Sequence, residues 1–283
     1  MVQHRKPHKR LPDWPTFEIM GDGIDGFIPV TKVNDWRHLQ EIFSNDQLFK
    51  SQDDFLFRGQ RRSDWGLSPS LARLSDTGNI SKTIADKQLE LFRYSIRGRV
   101  KNVASLKPLD IWAIGQHFGL MTPLLDWSRS PFVSMFFAFE EADPEDESPK
   151  NYSRAIFALN KTKLDKLGVD IFVDSLSSEH DRLISQSGLF TISPIHQSET
   201  LEAFILSELT DKDVDIDDAE TLSRYVFKIH VPMEKEEDRL DCFKSLRKMN
   251  LHHASLYPDL IGSSLHCNEI VKEAHRETVN TRQ

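Results

Sequence analysis

Thiols are nearly missing from this chain, which has two cysteines, Cys242 and Cys267. Two thiols build neither a disulfide framework nor a four-ligand zinc set, so a disulfide-stapled scaffold and a zinc finger are both excluded. A reduced, cytoplasmic setting is the corresponding expectation. No apolar run approaches the roughly 20 residues that cross a bilayer, so no membrane partner is expected. The opening MVQHRKPHKR carries charge with no apolar segment behind it, unlike a secretory leader. Basic charge is also short, at 36 Lys and Arg against 44 Asp and Glu, a formal net charge of −8. Four of those basic residues fall in the first ten positions, so the body behind them is more acidic still. Such a balance excludes a broad nucleic-acid-binding surface but leaves room for one basic cleft.

What is present is a core. The hydrophobic fraction is 39%, with 18 Phe and 5 Trp, over 283 residues. Residues 1–15 read as a basic flexible tail. Behind them, Asn34–Phe43 reads as a helix with Trp36, Leu39, Ile42 and Phe43 on one face. Phe55–Phe57 reads as a buried strand, and Ile84–Val100 and Leu109–Phe118 as amphipathic helices. Ser130 caps a further helix with Pro131 in its first turn. The acidic stretch Glu140–Lys150 reads as an exposed loop. Strands are expected at Ala155–Leu159, Leu189–Ile192 and Tyr225–Val231, and helices at Glu234–Met249 and Leu260–Glu277. Helices and strands interleave irregularly, and no Pro/Gly/Ser-rich linker divides them. The expected fold is therefore a single α+β domain over 16–280, a mixed or antiparallel sheet flanked by helices.

Three segments are stranger than a core requires. In DDFLFRGQRRSDWG the apolar run Phe55–Phe57 leads straight into Arg58, Gly59 and Gln60. A guanidinium on a buried strand is costly without a partner, so Arg58 is either an anion clamp or half of a pair with Asp126. In QHFGLMTPLLDWSRS, Asp126, Ser128 and Ser130 stand just ahead of a helix N-terminus, where unpaired N–H groups favour an anion. The same three residues serve equally well as plain helix caps. His117 has a ring suited to proton transfer or to a structural bond. His117, Asp126 and Ser128 are the residue types of a nucleophilic triad, but no G-x-S-x-G elbow accompanies them. The third segment is RLISQSGLFT, with Arg182 and Gln186 four apart. His252, His253, His266 and Cys267 match no metal-ligand spacing, and no metal is expected.

The blocks FLFRGQRRSDWGLSPSLAR, QHFGLMTPLLDWSRSPFVSMFFAF, RLISQSGLFT and SLYPDL resemble the FRG-domain family of prokaryotic proteins, which is named for the motif seen here as Phe57-Arg58-Gly59. The family usually reads Gly-Leu-Pro-Thr-Arg-Leu-Leu-Asp-Trp where this chain has Met121 for the proline and Pro123 for the arginine. More distantly, a strand ending in Arg-Gly followed by a serine turn that opens a helix is similar to the first two motifs of ADP-ribosyltransferases. That similarity implies an ADP-ribosyltransferase-like fold and NAD as substrate. It makes Arg58 the phosphate clamp, with Gly59 and Gln60 beside it, and Ser128 or Ser130 a brace. Trp127 or Phe118 would stack on the nicotinamide.

The third motif of that superfamily supplies a glutamate, whereas the corresponding segment here offers Gln186, flanked by Arg182. Glu179, Glu199, Glu202 and Asp126 are the alternative carboxylates. The resemblance thus implies an NAD-using transferase or NAD-cleaving enzyme, in the role of a phage-defence effector or toxin with an unnamed macromolecular target. The competing expectations are a non-catalytic module for a nucleotide or nucleic-acid end, and a protein-binding component that uses the acidic loop or the basic tail.

Overall fold

A computed structural model describes residues 6–46, 48–173, 188–195 and 200–280. Its centre is a seven-stranded sheet. The strands are β1 (Val30–Lys32), β2 (Phe55–Gln60), β3 (Leu124–Ser128), β4 (Ser153–Asn160), β5 (Phe172–Val173), β6 (Gly188–Ile192) and β7 (Val226–Pro232), in the spatial order β1-β7-β4-β2-β3-β6-β5. Only β1 and β7 run parallel; the other neighbours are antiparallel. The mixed α+β sheet expected from the sequence is therefore present. β4 lies inside the sheet, between β7 and β2, with all eight residues buried, which is why SRAIFALN reads as a near-continuous apolar run instead of an alternating one.

Alternation along β2 sorts the two faces. Phe55 and Phe57 enter one core with Ile156, Ala158, Phe227 and Ile229, while Leu56 enters the other with Leu125, Phe157 and Leu159. The first core is capped by α1 (Leu39–Phe43), α4 (Pro131–Phe139) and α8 (Glu236–Lys248). Its aromatic rings meet edge-on, as Phe49 does on Phe55 at 5.0 Å. The second core is closed by α5 (Lys161–Lys166) and α6 (Leu201–Asp211), through Leu164, Leu201, Ile205 and Leu209. A third, smaller cluster joins α2 (Lys82–Ser95) and α3 (Pro108–His117) to Leu124 of β3 and Phe190 of β6. The remaining helices are α7 (Ala219–Leu222), α9 (His253–Leu256) and α10 (Leu260–Asn280). Among the described residues no helix is long and apolar enough to cross a membrane.

Helix starts follow local chemistry. Ser130 Oγ accepts from Val133 N–H at 3.4 Å and Pro131 occupies the first turn of α4. Asn160 and Thr200 cap α5 and α6 in the same way. α4 crosses β2 so closely that a Cβ on Gly59 would lie 1.8 Å from the Ser134 carbonyl oxygen. Only glycine allows that approach.

Two peripheral stretches hold contacts that act over long sequence separations. Residues 6–15, read as a flexible tail, lie on the body. Lys6 Nζ is 2.8 Å from Glu234 Oε2, Leu11 is buried, and Trp14 N–H donates to Lys32 O at 2.9 Å. The acidic loop is largely exposed, as expected, but two of its carboxylates, Asp143 and Glu147, turn inward. Asp143 Oδ1 takes Arg61 Nη1 at 2.7 Å and the fully buried Arg154 at 2.5 Å, while Glu147 holds Arg61 at 2.5 Å and Arg62 at 3.1 Å. These bonds push both carboxyls below their usual range, against the desolvation that opposes them. A buried guanidinium needs a counter-charge, and these acids supply it.

Candidate functional site

β2 and β4 are paired at six positions, from Phe55↔Asn160 to Gln60↔Ala155. On its other edge β2 meets β3 at a single register position, Phe57↔Ser128, whereas β3 is paired along its length with β6. Beyond Phe57 the two strands therefore share no ladder. Arg58 stands at that parting. Its Nη1 donates to the backbone oxygen of Asp126 at 2.8 Å, so a side chain reaches β3 where a strand backbone would otherwise pair.

The rest of the guanidinium is not satisfied in the same way. Arg58 as a residue is half-buried, but its Nε is buried and has no hydrogen-bond partner among the described residues. Burial pushes the guanidinium down from its ordinary value, with Asp126 opposing and Arg73 adding to the shift. It stays charged at neutral pH all the same. Arg73 donates to the Ser68 carbonyl at 2.9 Å. Arg73 and Asp126 thus act on the Arg58 guanidinium with opposite sign.

Asp126 is positioned by residues that sequence reasoning did not single out. Gln116 Nε2 donates to its Oδ2 at 2.8 Å. The Gln116 Oε1 accepts from the Thr122 hydroxyl, and Thr122 N–H donates to Ser70 Oγ at 2.9 Å. The last turn of α3 therefore holds a glutamine whose amide nitrogen and oxygen are both engaged, and the carboxylate is held in one orientation. One signal for this was available: Ile111–Gly115 are all buried, so a polar residue next in line is drawn toward the same interior. Asp126 lies within β3, not at a helix cap.

The other expected site residues fall into distinct roles. Gly59 is the close-approach point for α4. Gln60 Nε2 donates to Gly66 O at 3.0 Å, while its Oε1 is buried without a partner among the described residues. Ser128 is 3% exposed and its Oγ accepts from Ser130 N–H at 2.9 Å, which braces the turn into α4. Ser130 is the cap of that helix. His117 closes α3 with its ring edge-on to Phe118 at 4.7 Å. Trp127 corrects the stacking expectation: it is 3% exposed, packed in the second core, with Nε1 donating to Thr191 Oγ1 at 2.9 Å. Phe118, 75% exposed, is the aromatic that remains accessible.

Of the alternative carboxylates, Glu202 accepts from the Leu67 N–H. Arg182, Gln186, Glu179 and Glu199 lie outside the described residues. Position 123, where the family pattern has an arginine, is a buried proline whose carbonyl accepts from Ser193 N–H at 2.9 Å. No group of three potential metal ligands occurs among the described residues.

No curated protein and no solved structure matches the chain. A family model does, covering residues 53–147, from the start of β2 to the acidic loop. Arg58, Gly59, Gln60, Gln116, His117, Asp126, Ser128 and Ser130 all fall inside that stretch, whereas the segments RLISQSGLFT and SLYPDL fall outside it. Over residues 53–147 the chain carries an FRG domain.

Proposed function

We propose that the parting of β2 and β3 is the ligand site of this domain, that it takes an anionic nucleotide with NAD as first candidate, and that Arg58 clamps the phosphates. The observation that carries this reading is the Arg58 guanidinium itself, with a buried Nε that lacks a partner among the described residues, beside an oriented carboxylate. A diphosphate satisfies such donors in a charge-assisted geometry, which is strongest where water is partly excluded. Asp126 is then the carboxylate nearest the reacting sugar. Cleavage of a nicotinamide–ribose bond builds positive charge on the ribose, and a fixed carboxylate favours that charge. An NAD-cleaving effector or toxin is the corresponding biological role.

Nicotinamide release from NAD tests the reading. Wild type releases it, Arg58→Lys raises KM because lysine keeps the charge but loses the planar fork, and Asp126→Asn lowers kcat with KM little changed. A non-catalytic nucleotide-binding module is the second reading. It is favoured by Glu202, which is engaged by Leu67 and so leaves Asp126 as the one described carboxylate of those considered that lies at Arg58. Binding of NAD with no release by wild type selects this second reading. No binding at all removes both.

A further inference from the structure

The end of β2 away from Arg58 holds a second cluster of positive charge. A recess of about 290 Å³ opens there, lined by Leu48, Lys50, Asp53, Lys163 and Arg224. It sits where β2 begins, β4 ends and β7 begins: Phe55 pairs with Asn160, and Asn160 N–H donates to Tyr225 O at 2.8 Å. Three cations and one carboxylate face this space. The carboxylate is partly engaged, since Asp53 Oδ2 accepts from Asn160 Nδ2 at 3.0 Å.

Elsewhere several cations of this acidic chain are closely paired. Arg61, Arg62 and Arg154 meet Asp143, Glu147 and Asp64; Lys228 meets Asp25; Arg239 meets Glu236. Lys50, Lys163 and Arg224 make no ion pair among the described residues. The Lys163 ammonium lies 5.6 Å from the Tyr225 ring centroid, which holds it over an aromatic face. Burial pushes that ammonium below its ordinary value, and Arg224, Lys50 and Lys166 push it further, with Asp53 opposing. Like charges converging on one half-enclosed space repel, and a multivalent anion relieves that repulsion.

We propose that the recess formed by Lys50, Lys163 and Arg224 binds a polyphosphate group, inorganic or part of a nucleoside diphosphate or triphosphate. One guanidinium and two ammonium groups supply directional and point-charge donors for adjacent phosphoryl oxygens, and the volume suits such a group better than a folded macromolecule. The site is separate from Arg58, because it lies at the other end of β2 and shares none of the residues that hold Asp126.

Calorimetric titration with pyrophosphate and, in a second arm, ADP tests the proposal on the full chain. Wild type binds pyrophosphate saturably at low salt, and affinity falls as salt rises. Arg224→Gln and Lys163→Gln each weaken it at least tenfold, while Lys87→Gln, at an exposed lysine of α2, changes it less than twofold. Arg224 and Lys50 are exposed, so if Lys163→Gln fails to fold, Arg224→Gln and Lys50→Gln carry the test. Tighter binding of ADP than of pyrophosphate assigns the group to a nucleotide, and equal binding assigns it to inorganic polyphosphate. Heat in wild type no greater than that of a matched sulfate control overturns the proposal. Retention of wild-type affinity by folded Arg224→Gln overturns it equally.

Discussion

Arg58 bonds the backbone of Asp126 and not its carboxylate. Nη1 lies 2.8 Å from the Asp126 carbonyl oxygen, while Gln116 holds the Asp126 carboxylate at 2.8 Å. An arginine driven onto the end of a buried strand therefore does structural duty across the β2–β3 parting without neutralising the acid beside it. The Arg58 Nε has no hydrogen-bond partner among the described residues.

The close crossing of α4 over β2 makes Gly59 intolerant of any side chain. Gly59→Ala introduces a Cβ 1.8 Å from Ser134 O and 2.7 Å from Ala138 N, both backbone atoms of one helix. Neither atom can move without displacing α4, so urea unfolding is expected to show a loss of about 3 kcal/mol. A loss below about 1 kcal/mol contradicts the close crossing.

Asp143 is the counter-charge of Arg154, a guanidinium with no solvent exposure. Asp143→Asn leaves that charge buried with carbonyl partners alone, at Arg61 O and Glu141 O. Breaking one side of such a pair costs about 3 kcal/mol. The same measurement on Asp146→Asn, an exposed neighbour in the loop, serves as the control and shows a change close to zero. Equal effects at the two positions remove the inward-facing role of the loop.

The buried trio Asp25, Lys228 and His230 ties stability to pH. Asp25 Oδ1 lies 2.8 Å from Lys228 Nζ and 2.7 Å from His230 Nε2. His230 and Lys228 hold the Asp25 carboxyl at about 2, below its ordinary 3.8, against the burial that opposes them. Its contribution to stability is therefore complete above about pH 4 and is lost as pH falls toward 2. Burial keeps His230 below its ordinary 6.5, with Lys228 adding to the shift and Asp25 opposing it. The unfolded chain takes up that proton near pH 6.5 and the folded chain does not, so stability falls from there downward. Urea unfolding at pH 7 and pH 5 is expected to show wild type losing more stability than His230→Asn. Equal losses in the two proteins contradict this assignment.

How far the sequence speaks depends on how local each signal is. The strand Phe55–Phe57 and the Ser130-Pro131 helix start were legible because aromatic content and a capping serine act over a few residues. β3 was not. Leu124–Ser128 reads as a lead-in to α4, and its strand character comes from pairing with β6, some 60 residues away in the chain. Arg58, Asp126 and the serines were legible as odd residues. Gln116 and Thr122 were missed because their meaning lies in contacts made by α3 after it packs. The Trp127 misreading has the same origin: an indole near a candidate site looks available until the strand's alternation turns it into the core opposite Asp126. Similarly, Asp143 and Glu147 read as solvent-facing charge until Arg61, just past β2, and Arg154 of β4 arrive beside them.

The most direct test of the central claim is calorimetric titration of NAD into wild type and Arg58→Lys, with circular dichroism melts confirming that both are folded. The β2–β3 site predicts saturable binding by wild type at one site per chain. It also predicts at least a tenfold loss in Arg58→Lys, about 1.4 kcal/mol, because a lysine cannot present a planar fork to a diphosphate. Unchanged affinity in folded Arg58→Lys, or no heat of binding in wild type, contradicts the account.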